Sequence, residues 1–273
     1  MSGCWRERLS RLGFGVSGAH GTALVRRSET VDLIALAAEL GVTAFDTAPA
    51  YGDGEAERRL GTAIRRIGRD RLVLSTKAGL RSRGLAGKRR DFSPRAIEAS
   101  VRASLARLGV AGVDVLFLHG PDPAELTADL FATLAGLRNA GAFAALGVAG
   151  RGGELDAALG TGRFDAMMAP VHPFLCSEEE SRLEGAARAG LAVFAIETAG
   201  DAPAPGPLPR RASDLYSLFR SLRPSGAGRG RVAPGSGLTA ALSRETVSCA
   251  LTTTTRRDHL QANIAAAVEA PRG

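Results

Sequence analysis

Short apolar runs alternate with helix-length amphipathic stretches from one end of the chain to the other. Residues 11–16, 42–46, 71–77, 113–119, 143–149, 164–171, 191–196 and 246–252 form apolar runs of strand length. Between them, residues 28–40, 54–67, 93–108, 125–140, 177–189 and 256–268 follow the helical period, with a further helix predicted at 213–222. Several helix starts carry cap signals. Ser93-Pro94 places proline at the first helical position, and Ser177 to Glu180 and Thr255 to Asp258 read as capping boxes. Gly41, Gly109, Gly141 and Gly190 each fall just past a helix, where a left-handed residue is favoured.

Eight strands, each followed by helix-forming sequence, fit a single-domain (β/α)8 TIM barrel of the α/β class spanning 1–273. A doubly wound open sheet is the alternative, because it alternates in the same way. Strand parity favours the barrel. Val42, Ala44 and Asp46 share one face, as do Val73, Ser75 and Lys77, and Val113, Val115, Phe117 and His119. In a barrel that face points inward and its last residue opens into the mouth, where active sites of this fold lie. Two stretches lack periodic apolar residues: 201–211, rich in proline, and 223–237, rich in glycine and arginine. They read as mobile loops near the mouth.

Composition narrows the function classes. Net charge is +7, but the basic residues are spread along the chain and aromatics make up 5%, so no base-stacking surface for nucleic acid emerges. No apolar run approaches the ~18 residues of a membrane span, and the start of the chain lacks the apolar stretch of a secretory signal. Cys4, Cys176 and Cys249 show neither disulfide-framework nor zinc spacing, so a reducing cytoplasm and no metal are expected.

Lysine use is the sharpest chemical signal. Of 35 basic side chains only Lys77 and Lys88 are lysines. Lys88 lies in the basic run 81–90, read as a solvated surface loop. Lys77 ends an apolar strand, where a charge is costly unless paired. A chain that otherwise writes arginine has kept a compact, deprotonatable ammonium there. Asp46, Tyr51 and His119 likewise fall at or just beyond strand ends, which outlines a catalytic constellation. The types fit together chemically: an ammonium at Lys77 lowers the pKa of the Tyr51 phenol, Asp46 holds that ammonium, and His119 donates to a substrate carbonyl. Such a set suits protonation of an oxygen as it becomes an alkoxide. Gly13 to Gly18 matches the dinucleotide pattern G-x-G-x-x-G as a string, but charged residues precede it and a loop follows. A glycine-rich strand end lining a ligand pocket is the better reading.

With these residues in place, the chain resembles the aldo-keto reductase family over nearly its whole length. Phe45 to Gly52 with Glu57 to Gly61 resembles the family's first signature, and Ser75 to Gly79 carries the family lysine. Ser104 to Gly109, Asp114 and Leu118 to Pro121 resemble the second signature. Gly141 to Val148, His172 to Leu175, Thr253-Thr254, His259-Leu260 and Asn263 follow in order. The resemblance implies an oxidoreductase that binds NADP(H), or else NAD(H), at the barrel mouth. Hydride would pass between the nicotinamide and an aldehyde, ketone or sugar-like alcohol. It implies Tyr51 as general acid/base, Lys77 and Asp46 as its tuners and His119 as the residue orienting substrate. Cofactor contacts are expected from Gly15, Val16, Asp46, Ala149, Gly150, Met168, Thr254, Arg256 and Asn263. A monomer or weak homo-oligomer acting on a small carbonyl or alcohol is the matching expectation.

Several positions depart from the family pattern. The Ser-Asn pair and Gln that usually hold the carboxamide read Ala149, Gly150 and Met168, and the usual ring-stacking aromatic reads Ile196. Glycine after the fifth strand also occurs in branches resembling sugar (L-galactose-type) dehydrogenases. The basic residue typical near the adenosine end is Thr253, leaving Arg256, at a helix start, to meet a 2′-phosphate. The family's N-terminal hairpin and long C-terminal tail are expected to be lacking. The depleted clamp motivates an alternative, a non-redox lyase or isomerase using the same proton-transfer residues, and a third reading is a sensor that binds cofactor without turnover.

Overall fold

The computed structural model describes residues 5–82, 87–200, 212–214, 216 and 230–271. Eight parallel strands close into a barrel in simple cyclic order, each hydrogen-bonded to the next and the first to the eighth. In chain order they are Leu12–Gly15, Ala44–Asp46, Val73–Ala78, Val113–His119, Phe143–Ala149, Ala166–Pro170, Ala192–Ile196 and Cys249–Thr252. The helices following them are Arg27–Glu39, Glu55–Ile67, Pro94–Leu108, Ala128–Asn139, Gly153–Thr161, Ser177–Arg188, Pro234–Leu242 and Arg257–Glu269. The barrel, not the open sheet, is the fold.

Alternation along the strands sorts side chains into two cores. Outward residues such as Phe14, Phe45, Leu74 and Leu116 pack beneath the helices with Ile34 and Leu60. Inward residues are small at many positions, among them Ala44, Ala145, Ala166 and Ala192, and the space is filled by Phe117 and Phe194 in edge-to-face contact at 5.4 Å. Gly147 makes that possible: a Cβ there would lie 2.4 Å from the Phe117 ring.

Residues 5–11 hold a short helix, Trp5–Arg8, rather than a hairpin. Trp5 stacks on Phe194 at 6.2 Å and so covers the base of the barrel. Arg6 donates to the Asp165 and Gly190 carbonyls, both at 2.9 Å. Arg8 reaches the buried carboxylate of Asp114 at 2.7 Å, which also accepts from Arg69 and from the Leu74 N–H. At the far end, Arg11 donates to the carbonyls of Ala270 and Pro271, which ties down the end of the last helix.

The four predicted C-cap glycines all have positive φ, and Pro94 opens its helix as expected. Two capping boxes form differently. The one read at Ser177 begins a residue earlier, with the Glu179 carboxylate accepting from the Cys176 N–H at 2.9 Å. The one read at Thr255 is absent; instead the Thr254 hydroxyl accepts from Arg256 N, and Arg256 pairs with Asp258. The basic run 81–90 is not a plain loop, because Leu80–Ser82 and Lys88–Arg90 pair antiparallel.

Residues 201–211, and most of the helix predicted at 213–222, lie outside the described residues. Part of the loop predicted at 223–237 is corrected. From Pro234 the chain is helical, and Leu238, Ala241 and Leu242 present a buried apolar stripe. One of the glycines that suggested a loop serves a close approach, since a Cβ on Gly237 would lie 2.2 Å from the Thr198 carbonyl oxygen. An antiparallel bridge between Gly200 and Arg231 closes the stem of this insertion.

Candidate active site

Three successive strands carry an inward-facing polar residue at or next to their C-terminal ends, and they bring Asp46, Lys77 and His119 to the mouth. Asp46 and Lys77 are both almost wholly buried. The Lys77 ammonium donates to Asp46 Oδ2 at 2.5 Å and to the Thr47 carbonyl at 3.2 Å. Ser75, two residues earlier on the same face, donates to Asp46 Oδ1 at 2.7 Å. Each carboxylate oxygen therefore has a partner, as a buried charge requires.

Tyr51 comes from the loop after the second strand, and local backbone geometry aims it. Its N–H donates to the Ala48 carbonyl, and Gly54 N–H to that of Pro49. Gly52 has φ 63° and lies so close to the Gly21 backbone that a Cβ could not fit. The Tyr51 ring lies 5.4 Å from Lys77 Nζ and edge-on to His119, with ring centres 6.4 Å apart. The four residues singled out as catalytic are thus gathered in one cluster.

Electrostatics amend the expected tuning. Burial away from water raises the Tyr51 phenol above its ordinary value of 10.0, and the Asp46 carboxylate adds to this; the Lys77 and Arg151 charges offset only part of it. The ammonium thus acts in the expected direction, but burial outweighs it and the phenol stays above its ordinary value. For Lys77, burial alone would depress the ammonium, but Asp46 and Tyr51 outweigh it and hold the value above 10.5.

The expected cofactor residues spread around the mouth. Gly15 ends the first strand, and its carbonyl accepts from the Thr253 hydroxyl at 2.9 Å. The Val16 side chain lies in the outer core, which leaves only its backbone near the mouth. Ala149 and Met168 are paired neighbours in the apolar interior, next to His119 in register. Gly150 donates to the Met168 carbonyl at 3.0 Å, so that N–H is already engaged. Thr254, Arg256 and Asn263 group instead at the start and first turns of the helix Arg257–Glu269. Arg256 is engaged by Asp258 at 2.5 Å rather than held ready for a phosphate.

Three features were not singled out as site residues from the sequence. Ser75 was legible by its parity with Lys77. Buried His20 bonds the Thr254 carbonyl at 2.9 Å and the Thr30 hydroxyl at 3.1 Å, tying the loops after the first and eighth strands together. Arg151 and Glu197 pair across the mouth at 2.5 Å. The last two contacts join residues far apart in the chain, and no local pattern announces them. Behind the site, fully buried Glu57 accepts from Thr76 at 2.7 Å and Arg107 at 2.6 Å, which joins two helices to the third strand.

Among the described residues no three His, Cys, Asp or Glu side chains group as a metal site. Among them, too, no helix is long and apolar enough to cross a membrane.

Comparison with known proteins agrees with this geometry. The model of the aldo/keto reductase family matches residues 11–195. An aldo-keto reductase of Bacillus subtilis is 34% identical over 142 residues, 51% of this chain and 43% of its own length. A methylglyoxal reductase of Escherichia coli described as NADH-specific is 32% identical over 157 residues, 52% and 48% of the two chains. The matched stretch thus spans less than half the length of these curated relatives. Among solved structures, an aldo-keto reductase of Pseudomonas aeruginosa superposes with a TM-score of 0.76 at 25% identity, covering 96% of this chain and 90% of that one.

Proposed function

From the premise that the chain belongs to the aldo/keto reductase family, we propose that it is an oxidoreductase passing hydride between NADP(H) or NAD(H) and a carbonyl or alcohol carbon, with Tyr51 as general acid/base. The observation that carries this reading is the convergence of Asp46, Lys77, Tyr51 and His119 at the mouth of one closed barrel. A single barrel domain is part of the reading, since the first and eighth strands pair.

The residues present fit a nicotinamide dinucleotide in two respects. The helix Arg257–Glu269 directs its N-terminus, flanked by Arg256 and Arg257, at the end of the eighth strand, where phosphate charge is favoured. The mouth floor is apolar at Ala149 and Met168, as a flat ring needs. Bound there, the cofactor supplies or accepts the hydride. A 2′-phosphate would have to displace Asp258 to reach Arg256.

The protein's own residues manage the proton. In reduction, negative charge grows on the carbonyl oxygen as hydride arrives. Tyr51, protonated at neutral pH, gives its proton to that oxygen, and the neighbouring Lys77 ammonium stabilises the phenolate left behind. Asp46 and Ser75 fix the ammonium, so its charge need not reorganise during the step. His119, facing Tyr51, orients the carbonyl. In oxidation the same steps run backwards. The substrate is an aldehyde, ketone or sugar-like alcohol, and family membership favours this redox reading over proton transfer alone.

The test is nicotinamide absorbance over a panel of carbonyls and sugars, with NADPH and NADH, for the wild type and Tyr51→Phe. Loss of turnover by about 100-fold or more in the variant is expected, in line with general acid catalysis. Equal turnover would remove Tyr51 from the role.

A further inference from the structure

We propose that Arg151 determines specificity at this site by taking a carboxylate carried by the carbonyl substrate, and that Glu197 is its resting partner, released when substrate binds. The proposal deepens the oxidoreductase reading and rests on it for the identity of the reacting group.

Arg151 lies two residues past the end of the fifth strand, and Ala149 at that end is the register neighbour of His119. Its side chain is 64% exposed, on the open side of the mouth, whereas Lys77 is enclosed on the barrel side. Its charge acts weakly on the Tyr51 phenol, against the effect of burial. A cation just past the fifth strand stands at the same end of the barrel as Tyr51 and His119.

The loop carrying it is held firmly. The Glu154 carboxylate accepts from Arg151 N at 2.6 Å, and Gly150 N is tied to the Met168 carbonyl. Glu197 engages one edge of the guanidinium, Nε at 3.2 Å and Nη2 at 2.5 Å. It does so from a left-handed backbone, φ 55°, which is costly for a residue with a Cβ. The other non-glycine residue with positive φ among those described is Asp53, in the Tyr51 loop, so both strained positions flank the mouth. A guanidinium fork matches a carboxylate in two-point geometry. Exchange of Glu197 for a substrate carboxylate keeps those bonds in number, and Glu197, at 27% exposure, can turn to water.

The experiment compares 4-carboxybenzaldehyde with its methyl ester, which differ in charge at the position remote from the aldehyde. Turnover gives kcat/KM for each, and calorimetry gives binding independently of turnover. In the parent the free acid is preferred. In Arg151→Gln that preference falls about 10- to 100-fold, mainly through KM, as expected for loss of a charge-assisted bond. A general change in Tyr51 would move both substrates together and cancel in the ratio. In Glu197→Gln the preference for the acid rises, because the competing carboxylate is gone. Arg151→Lys, which keeps the charge but loses the fork, falls between. An unchanged ratio in Arg151→Gln, or a fall in Glu197→Gln, overturns the proposal. If the parent binds the acid through Arg151 yet turns over neither aldehyde with NADPH or NADH, the oxidoreductase reading fails, and of this proposal only the carboxylate site at Arg151 stands.

Discussion

The Lys77 ammonium lies 2.5 Å from Asp46 Oδ2, and both side chains are withdrawn from water within the barrel. A buried ion pair holds together only while both members are present, because each would otherwise be an uncompensated charge.

Lys77→Met therefore leaves Asp46 with the Ser75 hydroxyl alone, and the expected loss is ~3–5 kcal/mol of stability together with activity. Urea unfolding measures it. The double variant Lys77→Met/Asp46→Leu recovers much of the stability and remains inactive, which separates the two roles. Since the folded Lys77 value lies above 10.5, the pair's contribution is complete below that pH and declines as pH rises through the folded value. Melting temperature above pH 10.5 should fall more steeply in the parent than in the double variant. A single variant as stable as the parent would contradict the account.

Tyr51 yields a pH prediction for catalysis. Its phenol is raised above 10.0, so the acid form persists from neutrality to at least that value. The rate of carbonyl reduction should be flat over that range and decline beyond it. The rate of alcohol oxidation, which needs the phenolate, should climb with pH throughout. A reduction rate that falls with a midpoint near neutrality would show that another group supplies the proton.

His20 predicts acid sensitivity. Burial lowers its pKa below 6.5, against an opposing bond to the Thr254 carbonyl. The folded state then binds fewer protons than the unfolded chain in that window. The stability contributed by the neutral ring is present above 6.5 and lost as pH falls through the folded value. Below pH 6.5, the parent should lose melting temperature more steeply than His20→Gln; parallel curves would rule the ring out.

Gly147 tests the interior packing. An added methyl meets the Phe117 ring at 2.4 Å, so Gly147→Ala should destabilise by ~1–3 kcal/mol through overpacking. Phe117→Leu in the same chain should relieve part of that loss. Chemical denaturation of the two single variants and the double variant supplies the comparison, and additive losses would refute the contact.

The eight strands were legible because each is an apolar run whose alternate residues meet different cores, and that period is written locally. The positions of Asp46, Lys77 and His119 were legible for the same reason: inward parity carries each strand's last polar residue into the mouth. The helix Pro234–Leu242 and the cover formed by Trp5 were not, since glycines mask the period of one and the other is a single turn. Residue types alone also missed the balance at Tyr51. They announce a neighbouring cation but not the loss of water around the phenol, and here burial outweighs the charge. The chain by itself therefore determined the barrel, the family resemblance and the candidate quartet of Asp46, Tyr51, Lys77 and His119. Tertiary structure alone decided the Arg151–Glu197 pair, the His20 tie and the direction of the phenol's shift, because each depends on loops distant in sequence and on how far they exclude solvent.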